Sequence, residues 1–202
     1  MKTLIVKYLP TGASSNTKKL LDVFLEEATN QNIEVLDLLK EQAPLFDEKS
    51  IQAYYKRNYG GQKLDLDEAK LLEKNDKLIA QLKSADVVVF AYPMHNFGIP
   101  AAVKAYLDAV IFNGETFEAG KKLMAGKKVL TLFTAGGIYS EEVFNFDYPN
   151  WNTIALQSKA MYGFMGFDDI ETIGTSLRDV TVADSRIAEV RSRLKNIIKK
   201  WF

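Results

Sequence analysis

Three short polar stretches carry the residue types from which a ligand site could be built. Pro93-Met94-His95-Asn96-Phe97-Gly98-Ile99-Pro100 opens and closes with proline, which stiffens the backbone, and offers an amide side chain, backbone N–H groups and aromatic surface in between. Asn96 both donates and accepts, which matches a heterocyclic edge of alternating carbonyl and N–H groups. Such a segment suits a flat heterocycle, although proline and asparagine also punctuate ordinary turns. Ser15-Asn16-Thr17 supplies two hydroxyls and an amide where a helix begins, so backbone N–H groups and the helix dipole there favour an anion such as phosphate. The same residue types cap helices, and both uses stand at this stage. Thr134-Ala135-Gly136-Gly137 ends in two glycines, which let a backbone approach a planar ring closely or simply turn. His95, the single histidine of the chain, is a candidate substrate contact.

The elements around these stretches decide whether they meet. Apolar runs at Thr3 to Leu9, Asn32 to Leu38, Asp86 to Tyr92, Val129 to Phe133 and Ile170 to Ile173 read as short buried strands. Leu20, Leu21, Phe24 and Leu25 recur at helical spacing after Ser14 to Thr17, and Ala101 to Ile111, Trp151 to Phe164 and Val182 to Lys199 carry similar faces. Lys199 and Lys200 suit a helix's negative end. A helix covering Asp76 to Leu82 leads into the third strand. Lys40 to Lys70 has no clear period and is long for a connection in a compact domain, which marks it as a flap or as partly helical cover.

Strands alternating with helices imply an α/β fold, a doubly wound parallel sheet covered on both faces. In the order 2-1-3-4-5, strands one and three are neighbours and strand four lies beside three, so the three polar stretches leave one sheet edge at the switch point. No linker, composition shift or repeat divides the chain, and residues 1–202 read as one domain.

Composition excludes several chemistries. The 26 basic residues balance 26 acidic ones, which argues against nucleic acid as a partner. With no cysteine and a single histidine, disulfides, thiolate metal sites, catalytic thiols and two-histidine sites are impossible; redox chemistry would have to come from a cofactor. The first residues lack a signal-length apolar stretch, and no run approaches the roughly 20 residues of a membrane span. A cytoplasmic protein is the expectation. Neither a Gly-rich phosphate loop ending in Lys-Ser/Thr nor a Gly-x-Gly-x-x-Gly motif follows the first strand, against a phosphate-loop NTPase and a dinucleotide fold.

Taken together, the chain resembles the flavodoxin-like, FMN-dependent NADH:quinone oxidoreductases and azoreductases over nearly its whole length. Pro93-Met94-His95-Asn96-Phe97 is similar to that family's Pro-Met-Tyr-Asn-Phe flavin loop, with histidine at the usual aromatic position. Ser15-Asn16-Thr17 resembles its Ser-Gln-Ser phosphate segment, Thr134-Ala135-Gly136-Gly137 its Ser-Arg-Gly-Gly loop, and Gly163-Phe164-Met165-Gly166-Phe167 its step into the fifth strand. Tyr8 stands where many members have serine, Ala135 stands in place of an arginine, and Gly114 to Gly126 is shorter than in the better-known azoreductases. The resemblance implies FMN held by Ser15, Asn16, Thr17, Pro93, Met94, His95, Asn96, Phe97, Thr134, Ala135, Gly136 and Gly137, no metal, and NADH or NADPH as donor. It implies ping-pong hydride transfer at flavin N5 to quinones and azo compounds, with no side chain standing out as general acid. Phe97, Phe117, Tyr55 and Tyr59 are candidate walls for the stacked substrate. A homodimer is expected, supported by the aromatic cluster Phe144, Phe146, Tyr148 and Trp151. The alternatives are a flavodoxin-type electron carrier and a noncatalytic flavin-binding sensor.

Overall fold

In the computed structural model, which describes residues 1–29, 32–137 and 152–202, five parallel strands form one sheet in the order β2-β1-β3-β4-β5. The strands are β1 Lys2–Lys7, β2 Asn32–Asp37, β3 Val87–Pro93, β4 Lys128–Thr134 and β5 Asp169–Thr175. Every residue of β3 except Pro93 is buried, as expected of a central strand covered on both faces. Alternation along the strands sorts the core into two halves. Ile5, Val87, Val89, Ala91, Leu130, Leu132 and Ile173 face α1 (Asn16–Glu27) and α6 (Ala183–Trp201). Leu4, Val6, Val88, Phe90, Tyr92, Val129 and Phe133 face α2 (Glu48–Tyr54), α3 (Leu66–Ser84), α4 (Ala101–Val110) and α5 (Thr153–Met165).

Register fixes where the strands release their loops. Pro93 pairs with Thr134 and Lys7 with Ala91, and Tyr8 N–H still donates to the Ala91 carbonyl at 2.9 Å. The exits of β1, β3 and β4 are therefore within a residue or two of one level. The first strand is shorter at its carboxyl end than its apolar run, because Tyr8 and Leu9 already turn away from the ladder with β2.

The aperiodic Lys40 to Lys70 stretch is mostly helical. Asp47 caps α2 in a reciprocal box with Ser50, and Asp65 caps α3 in a second box with Glu68, so the helix that covers Asp76 to Leu82 begins at Leu66. Between them, α2 runs on into a π-helical turn at Tyr55–Tyr59. Lys56 to Glu68 (2.6 Å) and Arg57 to Asp76 (2.8 Å) brace that turn against α3. Asn58 and Asn113 exchange amide-to-carbonyl hydrogen bonds at 2.8 and 2.9 Å.

α5 ends at Gly166, whose φ of +90° places it in the left-handed region. Its N–H donates to the carbonyls of Tyr162 and Gly163, a glycine C-cap. Lys122 crosses directly over it: a Cβ built on Gly166 would lie 2.5 Å from the Lys122 Cα.

Candidate functional site

Leaving β1, the chain forms a short 3-10 turn, Gly12–Ser14, before α1. Ser15 is the N-cap of α1, its Oγ accepting from the Lys18 N–H at 3.3 Å. At any helix start the first N–H groups have no partner within the helix; here those of Asn16 and Thr17 follow Ser15, and α1 carries no acidic residue in its first turn. Ser15 and Thr17 are buried and Asn16 is half-buried. The Thr17 hydroxyl is 2.7 Å from the Thr134 hydroxyl, 117 positions away in sequence.

At the end of β3, Met94 N–H donates to the Thr134 carbonyl at 2.8 Å. His95 and Gly98 then exchange backbone hydrogen bonds at 3.1 and 2.9 Å, with Asn96 and Phe97 between them at φ of +46° and +64°. Two central residues at positive φ are the pattern of a type I′ turn. Glycine normally fills such positions, and holding Phe97 there costs about 1–2 kcal/mol. The turn is braced rather than free: Thr153, first residue of α5, donates its hydroxyl to the Phe97 carbonyl. As a result His95, Asn96 and Phe97 are exposed, and the Asn96 amide stands at the sheet edge. Tyr8 meets the His95 ring edge-on, centroids 5.7 Å apart.

From β4, Ala135 N–H donates to the Thr175 carbonyl at 3.0 Å, and Ser176 Oγ donates to the Gly136 carbonyl at 3.3 Å. Gly136 is exposed, and a Cβ added there would meet nothing within 4 Å among the described residues, so among these its backbone face is open. Gly137 follows half-buried.

All three stretches meet, and Thr134 is what joins them, with its hydroxyl on Thr17 and its carbonyl on Met94. Sequence reasoning saw Thr134 only as the start of a glycine loop. Nothing local signals a tie to residue 17, since the partner becomes visible only with the strand order. The Tyr8 contact with His95 and the support from Ser176 were missed for the same reason.

Other expected wall residues lie elsewhere in the chain. Tyr55 and Tyr59 pack together, centroids 5.3 Å apart, and both contact Tyr54. Phe117 packs on Phe164 at 4.6 Å. Tyr54 in turn meets Phe112 just past the carboxyl end of α4, a helix of ten residues and so about 15 Å long, whereas the three loops sit at its amino end. Phe144, Phe146, Tyr148 and Trp151 lie outside the described residues.

The site is rich in donors and poor in acids. Tyr92, immediately before Pro93, belongs to the core and not to the site: it is fully buried, and desolvation pushes its phenol well above the ordinary value. Among the described residues no group of three or more His, Asp or Glu side chains could hold a metal. Below the turn, a cleft of about 540 Å³ is lined by His95, Asn96, Ile99, Lys104 and Met161, a volume in the range of small-molecule sites.

The chain that carries these features is similar to known proteins over most of its length. A family model described as flavodoxin-like fold matches residues 1–198. The FMN-dependent NADH:quinone oxidoreductase 1 of Bacillus anthracis is 32% identical, with 96% of each chain covered. The FMN-dependent NADH:quinone oxidoreductase of Haemophilus influenzae is 30% identical over 84% of this chain and 82% of that one. Among solved structures, an FMN-dependent NADH-azoreductase from Bacillus anthracis in complex with FMN superimposes with a TM-score of 0.82 at 28% identity, covering 98% of this chain and 100% of that one.

Proposed function

This chain belongs to the flavodoxin-like family of FMN-dependent NADH:quinone oxidoreductases, and from that premise we propose that it binds FMN at the three joined loops and transfers hydride from a nicotinamide cofactor to quinones and azo compounds. The observation that carries the site is Thr134, which ties the helix start at Thr17 to the turn after β3. The residues present fit FMN: hydroxyl and N–H donors without a competing acid at α1, an exposed amide at Asn96, and, among the described residues, a backbone at Gly136 with space in front of it. Bound there, FMN supplies the hydride acceptor and donor that the side chains of this protein lack.

The chain's own residues have the following work. Ser15 Oγ and the N–H groups of Asn16 and Thr17 hold the phosphate; the Thr17 hydroxyl, engaged with Thr134, positions that helix start. Asn96 orients the polar ring edge, Pro93, Met94 and the backbone of His95 to Phe97 form the wall beside the ring, and Ala135, its own N–H bonded to the Thr175 carbonyl, holds the strand end from which Gly136 and Gly137 bring N–H groups to where negative charge accumulates. His95 contacts the substrate. These loops would cover one side of the bound ring and exclude water from it, which would leave donor and acceptor to bind on the uncovered side in turn. The electron-carrier and sensor readings lose support, because relatives matching 96% and 84% of the chain are named as oxidoreductases.

The deciding experiment uses the FMN-loaded protein without oxygen. NADH should bleach the visible flavin bands, NADPH serving as the comparison donor, and a quinone should restore them. Initial rates at several fixed quinone concentrations should then give parallel double-reciprocal lines. A protein that binds FMN without oxidising NADH or NADPH would be a carrier or sensor, and intersecting lines would reject alternate use of a single face.

The functional unit is one domain spanning residues 1–202, cytoplasmic and homodimeric, with no nucleic-acid or membrane partner. Among the described residues no helix is long and apolar enough to cross a membrane, and cell fractionation would check the compartment. Exposed Leu156 (68%) and Phe164 (57%) on α5 support self-association. Light scattering at micromolar concentration should give twice the mass of one chain; a monomer with FMN bound would remove this proposal.

A further inference from the structure

A second cleft, of about 380 Å³, opens on the other side of the α4 amino terminus. Its floor is Leu38, buried to 1%, and its rims are Leu39 and Leu45, exposed to 47% and 78%. Ala102 and Ala105 of α4 form the facing wall, where small side chains leave a trough. None of the described residues that line it is charged, and Gln42 is its one amide. Leaving two leucines this exposed beside a concave apolar strip costs solvation free energy that an apolar occupant would recover.

The trough joins the proposed redox site. Tyr8 lines it and also meets the ring of His95 edge-on, and Ala101 lines both this trough and the cleft below the turn. An acceptor that reaches the exposed His95 side chain at the rim of the turn can therefore send a substituent past Tyr8 into the trough. We propose that this trough binds the aliphatic tail of the electron acceptor, which makes alkyl-substituted quinones the preferred substrate class. This rests on the oxidoreductase reading above and adds to it the part of the acceptor that the flavin does not touch. A trough of this volume, narrow and continuous with the site, suits a single hydrocarbon chain; a second copy of this protein is the competing occupant.

The test compares holoenzyme kcat/KM across 1,4-benzoquinones bearing no tail and tails of increasing length. Each buried methylene contributes about 0.8 kcal/mol at most, a factor of about four; after the cost of ordering the tail, a hexyl group should raise kcat/KM by roughly tenfold or more. Two variants close the trough by opposite chemistry: Leu39→Ser with Leu45→Ser makes the rims polar, and Ala105→Leu fills the trough with apolar atoms. Both should abolish the tail advantage while turnover of the tail-free quinone stays within about twofold of the parent. A flat series in the parent enzyme, or a tail advantage that survives both variants, would overturn the proposal. Variants that dissociate a dimer in light scattering yet keep the tail advantage would assign the trough to a second copy. Failure to turn over even the tail-free quinone would instead remove the oxidoreductase reading, and the proposal with it.

Discussion

Gly166→Ala is expected to lower the melting temperature by about 10 °C, and Gly163→Ala, three residues earlier, to leave it unchanged or raise it. At Gly166 two costs add. The left-handed φ of +90° charges an alanine about 1–2 kcal/mol, and its Cβ would lie 2.5 Å from the Lys122 Cα, a backbone atom that no rotamer change can move. Overpacking of that kind typically adds another 1–3 kcal/mol. For a chain of this length each kcal/mol shifts the melting temperature by about 2–4 °C. Gly163 lies inside α5 with an ordinary contact, its nearest neighbour being Ile170 Cδ1 at 3.9 Å, and alanine gains up to about 1 kcal/mol of helix propensity there. Thermal melts of the two variants beside the parent check both signs. Equal destabilisation at the two positions would mean that loss of any glycine in α5 matters, and that the Lys122 crossing does not.

The second large effect is on ligand discrimination. The protein should bind FMN at least about a hundredfold more tightly than riboflavin, because hydrogen bonds to a charged group contribute about 1.5–3 kcal/mol each and the helix start adds up to about 2 kcal/mol. Ser15→Ala should cut that ratio about tenfold while changing riboflavin affinity little. The ratio is the informative quantity, because Ser15 also caps α1, and a general loosening of the helix start weakens both ligands together. Thr17→Ala should differ: its hydroxyl is bonded to Thr134, so its removal slackens two loops at once and both affinities fall. Fluorescence titration of each protein with the two flavins gives the four constants needed. If Ser15→Ala weakened both flavins equally, the phosphate would not lie at this helix start.

Much of the architecture was legible because the strands announce themselves. Val87 to Tyr92 is continuously apolar and bounded by polar turns, and Thr3 to Val6 and Val129 to Phe133 behave alike, so the strand order and the convergence of three loops could be reasoned from chain order and the switch-point rule. The region from Lys40 to Lys70 was legible only as a flap or a partly helical cover, and the structure makes it the second, with helix bounds that the apolar pattern did not locate. Its apolar residues serve local packing of α2 on α3 rather than the sheet, and the π-helical turn at Tyr55–Tyr59 breaks the period on which a helix would be recognised. Asp65-Leu66-Asp67-Glu68 did carry a capping-box spacing that locates the start of α3. Within the site, residue types pointed to an anion and a heterocyclic edge, but the bracing did not show: the positive φ angles at Asn96 and Phe97 depend on Thr153, Gly98 and the strands behind them.

The hydroxyl pair of Thr17 and Thr134 has a consequence for the timing of recognition. It joins the start of α1 to the turn after β3 and the loop after β4 within the protein itself, so the entropy of ordering those segments is settled when the chain folds rather than when a ligand arrives. The apoprotein is thus preorganised: cofactor should load as into a finished mould, with an association rate set by encounter rather than by loop closure, and exchange of one flavin for another needs no unfolding of the sheet edge.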